Sequence, residues 1–103
     1  MDDIRFLSDS RHRAIALDAL AEAPQSRAGL REATGASSAT IGRLLQAFDE
    51  RGFVVKTGSV YSLTPLGEFI ADAFARLQHD VALARKLEVL LPHVPLRDIG
   101  ITV

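Results

Sequence analysis

The chain has 103 residues, 48% of them apolar and 24% charged, with a formal net charge of −1 and no cysteine. One domain's length of ordinary globular composition excludes a disordered or collagen-like chain, and the lack of cysteine excludes disulfides, thiolate catalysis and cysteine-based zinc sites. No apolar run nears the eighteen or so residues that span a bilayer, and Asp2 and Asp3 stand where a secretory signal would be basic, so a soluble cytoplasmic protein is expected.

The net charge hides a pattern. Residues 1–25 hold three basic and five acidic side chains, residues 26–63 five and three, and residues 64–103 four and five. The middle segment alone is positive. Ile4 to Leu7 is apolar enough for a helical turn or a longer N-terminal helix. Asp9 and Ser10 offer a cap for a helix over Arg11 to Ala23, which Pro24 ends. Ser26 is placed to cap a helix from Arg27 to Thr34, stopped by Gly35 at a left-handed position. Ser37 or Ser38 caps the next helix. It runs to about Arg51, with Ile41, Leu44, Leu45 and Phe48 at three- and four-residue spacing.

Phe53 to Lys56 and Val60 to Leu63 are rich in β-branched and aromatic residues, and Thr57, Gly58 and Ser59 provide a turn, which predicts a two-stranded hairpin. Thr64 before Pro65 predicts a capped helix start, with Glu68 as the third helical residue completing a capping box. The apolar positions Ile70, Phe74, Leu77, Val81, Ala84, Leu87 and Leu91 then form a heptad-like seam, either for pairing two chains or for packing the helix on its own domain. Pro92 and Pro95 break this helix, and Asp98 to Val103 reads as a strand, either the start of a missing domain or an exchanged strand. The expected division is 1–64, 65–91 and 92–103. The fold class is mainly α with a small β-hairpin, followed by a long C-terminal helix.

The stretch Leu30-Arg-Glu-Ala-Thr-Gly35-Ala-Ser-Ser-Ala-Thr-Ile41-Gly-Arg43-Leu44 resembles the helix-turn-helix of bacterial and archaeal repressors, with Leu30, Gly35, Ile41 and Leu44 at its apolar and turn positions. Arg51-Gly-Phe-Val-Val, Gly58, Tyr61, Leu63-Thr64 and Gly67 resemble the wing of MarR- and ArsR-type regulators. The long helix is similar to the dimerisation helix of PadR- and TrmB-like archaeal regulators. The resemblance implies a homodimeric prokaryotic transcription regulator that binds double-stranded DNA.

On that reading the helix from Ser38 enters the major groove, because its first turn carries small polar groups that approach base edges closely. Ser37, Ser38 and Thr40 contact phosphates or bases, Arg43 reads a guanine, and Gln46 touches the backbone. Arg27 and Arg31 position the module on phosphates. Lys56, Thr57 and Ser59 carry the wing into the minor groove or along the backbone. The competing expectation is a winged helix that binds proteins instead, which the near-neutral charge favours. His12, His79 and His93 lack metal-ligand spacing and read as surface or packing residues. Nothing resembles a phosphate loop, a nucleophile elbow or an acid pair, so neither an enzyme nor a cofactor is expected.

Overall fold

The computed structural model describes residues 2–90. The expectations for Leu91 and for residues 92–103 lie outside them. The chain divides into two compact units, residues 1–72 and 73–103.

The first unit opens with α1 (Asp2–Ser8), a seven-residue helix, followed by α2 (Arg11–Glu22). Ser10 is the α2 cap, its hydroxyl accepting from the N–H of Arg13 at 3.3 Å. After α2 come a two-residue strand β1 (Gln25–Ser26), α3 (Arg27–Thr34), α4 (Ser38–Glu50) and the strands β2 (Val54–Thr57) and β3 (Val60–Leu63). The last helix among the described residues, α5 (Pro65–Leu90), begins in this unit.

Each helix boundary has a local cause. The Ser26 hydroxyl accepts from Gly29 N–H at 3.0 Å and starts α3. Gly35 ends it at φ 73°, its N–H reaching the Arg31 carbonyl at 2.8 Å. Thr34 locks the turn, donating to the Leu30 carbonyl and accepting from Ala36 N–H. Ser37, not Ser38, caps α4. At the start of α5 the expected capping box is absent. The third helical residue is Gly67, whose N–H donates to the Thr64 hydroxyl at 3.0 Å, and Glu68 falls one position too late to reach back.

The sheet has three strands in the order β1-β3-β2, all antiparallel, where the sequence predicts two. β2 and β3 pair from Val54 with Leu63 to Thr57 with Val60, so only Gly58 and Ser59 form the tip. Lys56 lies within the strand, opposite Tyr61. The extra strand pairs Gln25 with Tyr61 and Ser26 with Val60. Two residues are too few to show an alternating pattern, and Ser26 serves as strand and cap at once.

Leu7, Leu17, Leu30, Ile41, Phe48 and Phe53 are fully buried and come from α1, α2, α3, α4 and the approach to β2. Phe48 sits between two rings, its centroid 6.0 Å from Phe6 and 6.0 Å from Phe53. Two guanidiniums lie against the Phe6 ring, Arg13 at 4.2 Å and Arg51 at 3.8 Å from its centroid. Arg51 also bridges Asp2 at 3.0 Å and Asp3 at 2.7 Å. Desolvation opposes the charge on Arg51, but the hydrogen bonds and charges of Asp2 and Asp3 outweigh it and raise its pKa above the ordinary arginine value.

The described part of the second unit is the remainder of α5, through Leu90. Along the expected pairing seam, Ile70, Leu77, Val81 and Leu87 are half-buried. Phe74 and Ala84 are buried, each 6% exposed. The periodicity identifies apolar positions correctly but does not say whether the same chain or another one covers them. Among the described residues no helix is long and apolar enough to cross a membrane.

Candidate nucleic-acid interface

α3, the three-residue turn Gly35–Ser37 and α4 form a helix-turn-helix, and the burial of α4 decides which way it faces. Ile41, Leu44, Leu45 and Phe48 are buried, so the opposite side, with Ser38, Ala39, Arg43, Gln46 and Glu50, is exposed. Alanine and serine at its start leave room for close approach.

The polar groups of the first turn are linked. The Ser37 hydroxyl accepts from Thr40 N–H at 3.2 Å and donates to Thr40 Oγ1 at 3.0 Å. Arg43 Nη2 donates to the same Thr40 oxygen at 3.3 Å. Ser37 is thus a helix cap, and Thr40 holds the guanidinium of Arg43 along the exposed edge of the helix.

Two clefts border α4. One, of about 170 Å³, is lined by Ser10, His12 and Arg13 of the α2 start together with Thr40, Arg43 and Leu44. The other, of about 280 Å³, lies between α4 and the sheet, with Arg27, Gly42, Gln46, Asp49, Lys56 and Tyr61 on its walls. Arg27 reaches across from the first turn of α3. A methyl group on Gly42 would stand 2.8 Å from its Nη2, so the missing side chain makes the space that the guanidinium uses. Lys56 Nζ lies 5.8 Å from the centre of the Tyr61 ring.

Of the residues singled out in the sequence, Arg27, Gln46 and Lys56 come together at one cleft, and Thr40 and Arg43 at the other. Thr57 and Ser59 are exposed at and beside the tip of the β2–β3 hairpin, and Arg31 is exposed on α3. Sequence reasoning missed His12, Asp49 and Tyr61 as neighbours of this surface. No sequence signal marks them, because their placement follows from how α2 and β3 pack beside α4. It also counted Arg51 in the positive segment, whereas Asp2 and Asp3 neutralise that charge. Among the described residues no group of three His, Asp or Glu side chains stands close enough to hold a metal ion.

A helix-turn-helix joined to an antiparallel hairpin and a long final helix defines the winged helix-turn-helix class. Solved structures show the same fold. The chain is similar to the Mycobacterium tuberculosis MarR family protein Rv2887, with a TM-score of 0.67 and 18% identity, covering 95% of this chain and 77% of that one. It is similar to the adhesin competence repressor AdcR from Streptococcus pyogenes, with a TM-score of 0.65 and 17% identity, covering 97% and 81%. Residues 1–86 match the family described as HVO_A0261 N-terminal domain, and the chain belongs to that family. No curated protein matches it.

Proposed function

We propose that the protein is a sequence-specific, double-stranded DNA-binding transcription regulator of a prokaryotic cytoplasm, acting as a homodimer paired through α5. The observation that carries this reading is the exposed face of α4. It is small and polar at its start, with Arg43 held along its edge by Thr40 and with Arg27 and Lys56 on the cleft beside it. An apolar face there would suit a protein partner instead.

In this arrangement α4 enters the major groove. Arg43 reads a guanine through O6 and N7, Ser38 and Thr40 touch bases or phosphates, and Ser37 offers its capped N-terminus to a phosphate. Arg27, Arg31 and Gln46 hold the backbone. Lys56, Thr57 and Ser59 place the wing on the minor groove or the adjacent strand. Pairing through α5 sets two recognition helices about 34 Å apart, one turn of the duplex.

The two kinds of contact separate by mutation. Arg43→Ala is expected to weaken binding to a selected site by roughly ten- to a hundredfold and to flatten the preference at one base pair, while leaving binding to random duplex nearly unchanged. Lys56→Ala is expected to weaken all duplexes alike and to reduce the salt slope by about one per protomer. Competition binding against a randomised duplex pool distinguishes them. Equal losses on selected and random DNA for Arg43→Ala would remove its assignment as the base reader.

A further inference from the structure

The second unit carries a stripe beside the pairing seam read from the sequence, sharing only Leu87 with it. Ala73, Arg76, Asp80, Leu83, Leu87 and Leu90 recur at three- and four-residue spacing, so they share one face of α5. Leu83 is 42% and Leu90 66% exposed, in contrast to the buried Phe74 and Ala84. Arg76 is exposed, and Asp80 is half-buried four residues further on.

We propose that this face docks a second copy of the chain with the two α5 helices antiparallel, the two-fold axis passing beside residue 78. The inference rests on the homodimer proposed above and assigns it a face and a direction. Charge decides the direction. Residues related by an axis at 78 are 76 and 80, so Arg76 of each chain meets Asp80 of the other, giving two reciprocal ion pairs. The next layers place Ala73 against Leu83, a small residue facing a large one, as interdigitated helices need. Parallel pairing in register sets Arg76 against Arg76 and Asp80 against Asp80, which is repulsive. Arg76 already has a partner within its own chain, and a guanidinium with five donors serves a second carboxylate as well.

The natural chain has no cysteine, so engineered thiols report the register cleanly. With antiparallel pairing, residues 73 and 83 of opposite chains are adjacent, whereas each lies about 15 Å along the axis from its own copy, beyond the roughly 7 Å that a disulfide spans. Full-length protein carrying Ala73→Cys with Leu83→Cys is expected to cross-link to a covalent dimer under mild oxidation, and each single variant to give less than about a tenth of that yield.

Sedimentation equilibrium of the uncross-linked protein, without DNA, is the companion test. Arg76→Asp is expected to weaken the dimer at least about tenfold, and adding Asp80→Arg to restore it. Cross-linking of a single variant, or a dimer indifferent to Arg76→Asp, would overturn the face or the direction while leaving the homodimer standing. A wild-type monomer at all concentrations would overturn both. DNA affinity, measured separately, shows whether the DNA-binding reading survives either result.

Discussion

Phe48→Ala is expected to destabilise the first unit by about 3–5 kcal/mol, the range for removing a large buried aromatic side chain. Phe48 is fully buried on the core face of α4, and its ring contacts Phe6 of α1 and Phe53 ahead of β2. Its loss therefore leaves a cavity where three segments meet, and the two guanidiniums over Phe6 would rest on a ring with no inner support. Domains of this size are stable by about 5–15 kcal/mol in total, so thermal unfolding should move down by roughly 15 °C or more. Phe48→Leu retains more of the volume and should cost less. A melting temperature within a few degrees of wild type for Phe48→Ala would show that Phe48 is not the centre of this core.

Gly67→Ala is the second large effect, and its sign runs against helix propensity. Alanine in place of glycine inside a helix ordinarily gains about 1 kcal/mol. Here a Cβ would stand 2.1 Å from the carbonyl oxygen of Phe53 and 3.2 Å from Leu63 Cδ2. A backbone oxygen cannot swing aside as a side chain can, and this one already accepts the N–H of Thr64 at 2.9 Å. Phe53 in turn donates its own N–H to the Phe48 carbonyl at 2.9 Å, so the displacement would pass to the end of α4. A net loss of about 2 kcal/mol or more is expected in urea unfolding. Gly35→Ala is the control, since the left-handed φ of 73° is its sole penalty and nothing lies within 4 Å of the new methyl group. It should cost only about 1–2 kcal/mol. Equal or reversed losses would contradict the close approach of α5 to Phe53.

These residues also show what the sequence makes legible. The helices of the first unit announce themselves locally: Ser10, Ser26 and Ser37 cap them, Gly35 stops α3, and the apolar spacing of α4 fixes which side faces the core. Arg43 is identifiable as an outward-facing residue from the same spacing. Long-range relations are not written locally. Gly67 reads as part of a wing signature, yet its reason is the carbonyl of a residue fourteen positions earlier. The neutralisation of Arg51 by Asp2 and Asp3 joins residues 49 and 48 positions apart. β1 is too short to have a period. Phe74 and Ala84 have the spacing of a dimer seam and are buried, and spacing alone does not say what covers them. For the same reason the cation census overstates the middle segment, and the cleft between Arg27, Gly42 and Lys56 becomes visible only once α3 and the sheet are placed beside α4.

Binding of the wild-type protein to generic duplex DNA, followed by fluorescence anisotropy at about 50 and 200 mM salt, tests the central claim most directly. Arg27, Arg31 and Lys56 contacting phosphates in each half of a dimer make about six contacts, which predicts micromolar or tighter binding at the lower salt and a loss of roughly a thousandfold at the higher. No binding at the lower salt, or binding indifferent to salt, would contradict a DNA-reading α4 and leave its exposed face to a protein partner.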